Sequence, residues 1–186
     1  MMNFIIRACF HLRLRLFSFL KSVCYWFYPS IRIGKSLIIE KNVSLNIMYG
    51  GTITIGDHCE LRRGVQLLSY GGNITIGHNS SINPYTLVYG QGNISIGNYV
   101  RIAAHCTLIP SNHVFADISV PICKQGLLNR GIVIEDDVWI GTGVRVLDGV
   151  VITTGCIIGA GSVVTHSTEP YGIYVGIPAR KIKSRK

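Results

Sequence analysis

The sequence predicts an all-β fold, a triangular parallel solenoid of about six coils, and three observations carry that prediction. Aliphatic residues recur every six positions through most of the 186 residues. A small or β-branched residue stands two positions before most of them, which is the alternation of a strand. Glycine and asparagine punctuate the intervals, so each strand is too short and too often turned to be a helix.

The aliphatics fall into six groups of three: Ile33, Ile39, Leu45; Ile55, Leu61, Leu67; Ile76, Ile82, Val88; Ile96, Ile102, Leu108; Ile134, Ile140, Val146; and Ile152, Ile158, Val164. Each group is one coil, its three aliphatics pointing inward and stacking on their equivalents above and below. The small inward slots are filled by residues such as Ile53, Val65, Ser80, Thr86, Val100 and Val144. Cys59, Cys106 and Cys156 occupy the same slot and are read as core residues. None of the six cysteines forms a CxxC pair or has zinc-ligand spacing, which points to a reducing cytoplasm and away from a disulfide framework.

The interruptions keep one register. The step between groups lengthens from 6 to 10, 9 and 8 residues around Tyr49-Gly50-Gly51, Tyr70-Gly71-Gly72 and Tyr89-Gly90-Gln91-Gly92, always after the third strand. The step from Leu108 to Ile134 is 26 residues and leaves from the same edge. This long loop at 110–131 is a functional candidate, because long loops on a minimal scaffold are uncommon without a task. It contains His113. Asn73 and Asn93 begin Asn-x-Ser/Thr sequences that recur with the repeat and are read as turn residues rather than glycosylation sites.

The formal charge of +9 is concentrated at the ends. Residues 1–30 hold Arg7, Arg13, Arg15 and Lys21 without an acid, and residues 180–186 hold Arg180, Lys181, Lys183, Arg185 and Lys186. A neutral body with basic ends fits an anionic surface or ligand better than a nucleic acid. Residues 1–30 form a separate amphipathic helical segment ahead of the solenoid at 31–186. Charges interrupt every apolar run in residues 1–28, so neither a spanning helix nor a cleavable signal fits. Two roles remain and do not exclude each other: a cap on one end of the domain that buries Phe17, Leu20 and Trp26, or a helix lying at a membrane interface on the inner face.

The segments Val138-Trp139-Ile140-Gly141, Ile158-Gly159-Ala160-Gly161-Ser162-Val163-Val164-Thr165 and Val175-Gly176-Ile177-Pro178-Ala179-Arg180-Lys181-Ile182 resemble the hexapeptide-repeat acyltransferases. The resemblance implies that the solenoid is a left-handed β-helix, that the protein is a homotrimer, and that acetyl-CoA binds between subunits. The closest pattern is that of the galactoside, maltose and surface-polysaccharide O-acetyltransferases, although the long amino-terminal domain of the galactoside enzymes has no counterpart here. By this resemblance His113, in Ser111-Asn112-His113, is the general base, and Ser69 and Asn83 touch the acceptor sugar. Thr142, Ala160, Thr165, His166, Arg180 and Lys183 match the coenzyme positions. His166 stands where the family usually has Lys.

The residues themselves fit that chemistry. Acetyl transfer from a thioester to a hydroxyl needs a base, donors for the oxyanion, and two substrates held together. An imidazole titrating near neutrality can take the proton. Trp139 flanks inward-facing Ile140, so it points outward, where coenzyme A, a neighbouring subunit or residues 110–131 would cover it. Arg180 and Lys183 would meet phosphates or form a solvated basic tail. The expected function is acetyl-CoA-dependent O-acetylation of a sugar in a surface polysaccharide or its precursor, without a metal. The alternatives are a serine-type or amino-sugar N-acetyltransferase, a non-catalytic trimeric scaffold, and a zinc enzyme resembling the β-helical carbonic anhydrases. The last would draw on His58, His78 and His105, which do not share one column of the repeat.

Overall fold

The computed structural model describes residues 14–25 and 27–186, and what they form is a prism of three parallel sheets. Coil 1 comprises the strands Ile31–Ile33, Ile38–Ile39 and Ser44–Asn46, and coil 2 Thr52–Ile55, Glu60–Leu61 and Gln66–Leu68. Coil 3 follows with Asn73–Ile76, Ser81–Ile82 and Leu87–Tyr89, and coil 4 with Ile94–Ile96, Arg101–Ile102 and Thr107–Leu108. Coil 5 is Ile132–Ile134, Trp139–Ile140 and Arg145–Val146, and coil 6 is Val151–Ile152, Ile157–Ile158 and Val163–Val164. The first strands of all coils make face one, the second strands face two, and the third strands face three.

The register is the one the period demands. Ile102 pairs with Ile82 on one side and Ile140 on the other, and Ile140 pairs with Ile158. Their side chains form one internal column, and all four are essentially solvent-free. A fully buried isoleucine contributes roughly 1.5–3 kcal/mol relative to exposure, so these columns supply most of the folding force of the prism. Cys59, Cys106 and Cys156 lie buried in the small slots. Burial pushes the Cys59 and Cys106 thiols up.

Both open ends are closed by different chemistry. At the first coil, a helix over 14–25 lies against the unpaired strand edge. Ser18 supplies what a neighbouring strand would have supplied: its hydroxyl accepts from the Ile39 amide at 2.9 Å and lies 3.1 Å from the Ile39 carbonyl. Lys21 donates to the Val43 carbonyl at 3.2 Å, and burial lowers its pKa. The helix therefore caps the coil, but with a polar face. Phe17 is only half-buried and Leu20 is exposed, contrary to the expectation that the apolar residues turn inward. The open sheet edge needs hydrogen-bonding partners more than it needs hydrocarbon. Trp26 and residues 1–13 lie outside the described residues.

At the far end, the basic residues 180–186 are largely a strand. Arg180–Ser184 pairs antiparallel with Gly172–Val175 and extends face two. Face one is finished by side chains: Ser167 accepts from the Val151 amide and Thr168 from the Thr153 amide, each at 2.9 Å.

Candidate functional site

The loop at 110–131 leaves from the edge between faces three and one. The Ile109 amide donates to Val146 and the Leu147 amide to Val164, so Ile109, Leu147 and Thr165 stand on successive coils of this edge. Pro110 sits directly above Gly92, where a Cβ would overlap the Pro110 carbonyl oxygen. That close approach, rather than a special dihedral, is what requires glycine at 92. Below it the inserted residues stack as expected, and Tyr49, Tyr70 and Tyr89 form an aromatic ladder with ring centroids 6.3 and 5.5 Å apart.

The loop has internal structure that its sequence did not announce. Asn112–His113 pairs antiparallel with Leu127–Leu128, His113 lying opposite Leu127. The tip is knotted by polar groups. The Asp117 carboxylate accepts from the Ser119 amide and hydroxyl, which hold its pKa below the usual range. The Gln125 side-chain amide donates to the Asp117 and Val120 carbonyls. The return to the coil is pinned by Asp148, whose Oδ1 accepts from the Arg130 and Gly131 amides at 2.8 and 2.9 Å. Its Oδ2 is buried without a partner. The anchor has no signature in the sequence, because only the fold brings 148 beside 130.

His113 is thus held on a short hairpin at a solenoid edge, exposed to solvent. Ser69 lies on the same edge, two coils below Pro110. It is fully buried, its hydroxyl donating to the Gly50 carbonyl at 2.9 Å, so it does not itself offer the direct acceptor contact that the resemblance implies. Thr165 and His166 lie on this edge too, joined by a 2.8 Å contact between Oγ1 and Nδ1.

The other expected residues occupy a different edge, between faces two and three. Asn83 lies there, its side-chain amide donating to the Ile102 carbonyl at 2.8 Å. Thr142 and Ala160 sit above it, with the Gly161 amide donating to the Thr142 carbonyl at 2.8 Å. The flanks of this ridge are bare: a Cβ at Gly143 or Gly161 would meet nothing within 4 Å. Trp139 is 56% exposed on face two, in one column with Ile157, Ile173 and Lys183. Arg180 is exposed on the closing strand, and its guanidinium donates to the Ala179 carbonyl.

One face separates the two groups. From Thr142 to Leu147 is five residues, about 16 Å at full extension. Within one chain the two groups therefore start from opposite edges of face three. An exposed tryptophan with Lys183 in its column, an open glycine ridge on the adjoining edge and Arg180 on the closing strand suit a long, thin ligand ending in phosphates.

Two further histidines have structural partners. His78 Nδ1 accepts from the Asp57 amide at 3.0 Å, and His105 stacks on Tyr85 at 5.4 Å. Among the described residues no three His, Cys, Asp or Glu side chains converge as metal ligands, and no helix is long and apolar enough to cross a membrane.

Comparison with known proteins supplies the lineage. The family model for bacterial transferase hexapeptides (six repeats) matches residues 131–166. The chain is 30% identical to a dTDP-4-amino-4,6-dideoxy-D-glucose acyltransferase of Escherichia coli, over 82% of this chain and 81% of that protein. It is 33% identical to a Mycobacterium tuberculosis protein named as a probable acetyltransferase, but there it spans only 50% of the relative's length. Among solved structures, a variant of AntD, an N-acyltransferase from Bacillus cereus in complex with dTDP and coenzyme A, superposes with a TM-score of 0.72 at 30% identity, covering 83% of this chain and 84% of that one. The stacked triangular coils, the repeat and these relatives agree: the chain belongs to the hexapeptide-repeat acyltransferase family and has its left-handed β-helix fold.

Proposed function

We propose that the protein transfers acetyl from acetyl-CoA to a hydroxyl of a sugar, in a surface polysaccharide unit or its nucleotide- or lipid-linked precursor, with His113 as general base. The observation that carries this reading is the placement of His113 on a pinned hairpin, where the regular coil is broken and an imidazole is presented to solvent. Acetyl-CoA supplies an acetyl group already activated as a thioester. Trp139, Thr142 and Ala160 line its path, and Thr165, His166, Arg180 and Lys183 are its polar and phosphate-side contacts. Ser69 and Asn83 belong to the acceptor side, Ser69 by shaping the Gly50 turn.

The His113 imidazole takes the proton of the acceptor hydroxyl as its oxygen bonds to the thioester carbonyl carbon. The imidazolium then returns that proton to the departing sulfur as the C–S bond breaks. The products are the sugar ester and free coenzyme A, with no acyl-enzyme. Such a base contributes about 10²–10⁴-fold in rate. Because the two groups of site residues lie on opposite edges of face three, the complete site is shared between chains of a homotrimer, one giving His113 and its neighbour the glycine ridge.

A second reading is favoured by the relatives that match over four-fifths of both chains, one named for an amino sugar and one an N-acyltransferase. Under it the acceptor atom is the amine of a nucleotide-linked amino sugar. Radiolabelled acetyl-CoA offered with hydroxyl and amino sugar nucleotides separates the two. A product whose label is released by mild alkali is an ester and supports the first reading, an alkali-stable product is an amide and supports the second, and no labelled sugar product overturns both.

A further inference from the structure

The helix over 14–25 presents a face that the coil does not use. Leu16, Phe19, Leu20 and Val23 recur at helical spacing and are all exposed, Phe19 by 64%, and Phe27 and Tyr28 continue the apolar surface beyond the helix. The opposite side of the same helix is committed to the first coil through Ser18 and Lys21. Phe19 also separates two adjoining hollows between helix and coil. One, of about 760 Å³, is walled by Arg15, Lys35, Leu37 and His58. The other, of about 300 Å³, is walled by Val23, Ile31 and Ile33. Ser22 and Gly34 line both. The groove is therefore cationic at one end and hydrocarbon at the other.

Among the described residues its rim sets Arg15 and Lys35 against Asp57, whose Oδ1 accepts from the Lys35 amide at 2.7 Å and whose Oδ2 lies 3.7 Å from His78 Nδ1. The first acidic residue of the chain is Glu40, and six basic residues precede it: Arg7, Arg13, Arg15, Lys21, Arg32 and Lys35. The one carboxylate on the wall of the larger hollow, Glu60, is paired with Arg62. A two-fold contact with a second copy would set this cationic rim against itself. A surface of phosphates over hydrocarbon matches both ends of the groove.

We propose that this helix face and groove dock the protein on an anionic phospholipid bilayer, with lipid phosphates at Arg15 and Lys35 and acyl chains against Phe19 and Val23. The inference is independent of the acceptor sugar and of His113. Bilayer docking confines the enzyme to two dimensions beside membrane-borne acceptors.

The test is co-sedimentation of the full chain with vesicles of phosphatidylcholine, alone or with about one-third phosphatidylglycerol. Binding is expected only to the anionic vesicles and is released near 1 M salt, where screening shrinks to about 3 Å. Phe19→Asp should weaken it at least about tenfold. Arg15→Gln and Lys35→Gln should each weaken it about fivefold, one surface cation's share. These residues lie outside the core, so melting midpoints should match the unmodified protein. If Phe19→Asp misfolds, the two glutamine variants give the same reading. Equal binding to neutral vesicles, no effect of the variants, or displacement by millimolar glycerol phosphate would overturn the proposal. So would a fall in oligomeric state on Phe19→Asp, which would make the face a subunit interface.

Discussion

Asp148 is the most informative single residue to remove, because it links the regular coil to the hairpin that carries His113. Its Oδ1 accepts two backbone amides, from Arg130 and Gly131. Hydrogen bonds to a charged acceptor contribute roughly 1.5–3 kcal/mol each, but these are partly exposed, and the unpartnered Oδ2 offsets part of the gain. Asp148→Ala should therefore cost about 1–3 kcal/mol. In a chain of this size that lowers Tm by about 2–12 °C. The kinetic effect should be larger than the thermal one. Displacing a catalytic group by about 1 Å can cost about 10²-fold in rate, and the freed link at 130–131 no longer fixes the hairpin. Asp148→Asn keeps an acceptor oxygen and should lie between. Calorimetry with initial rates at saturating acetyl-CoA measures both effects. An alanine variant that melts and turns over like the unmodified protein would refute the anchor and its bearing on His113.

Gly92→Ala should be worse than its size suggests, since the new methyl overlaps the Pro110 carbonyl at the root of the loop; urea unfolding should show a loss of about 1–3 kcal/mol, as for overpacking. Ser18→Ala leaves the buried Ile39 amide without its acceptor, costing about 1–3 kcal/mol, and faster hydrogen exchange should appear first in coil 1. Thiol labelling should mark Cys24 and Cys123 quickly and spare Cys59, Cys106 and Cys156 until the coil unfolds. Folded Cys59 and Cys106 have raised pKa values, so they bind protons more tightly than the unfolded chain does. Their contribution is whole below the unfolded thiol pKa of about 8.5 and is lost as pH rises through the folded values. Denaturant midpoints should therefore fall above about pH 8.5 and fall less in Cys106→Ala.

What was legible in the sequence follows from what repeats. An inward column such as Ile82, Ile102, Ile140 and Ile158 imposes its period on the chain, so coil number, faces and the edge bearing the insertions could be read before any coordinates. The position of Trp139 outside the column followed from its neighbour Ile140. Contacts made once in the fold could not be read this way. The hairpin pairs His113 with Leu127, and Asp148 meets Arg130, through the interior of a loop that has no period. In the helix, hydrophobicity points to Leu20 for burial, but an open strand edge selects hydrogen-bonding side chains, and Ser18 takes that place. The terminal cations are legible as phosphate contacts or a solvated tail, but not as a strand, because a closing antiparallel strand such as Arg180–Ser184 occurs only once.

The claim on which the account rests is that the imidazole at 113 moves the acceptor proton. It is tested most directly by the turnover of His113→Ala at saturating acetyl-CoA, with oligomeric state and coenzyme binding checked in parallel. The ring is exposed, so assembly, melting and coenzyme affinity should persist while turnover falls about 10²–10⁴-fold. Turnover within a few-fold of the unmodified protein would contradict the account.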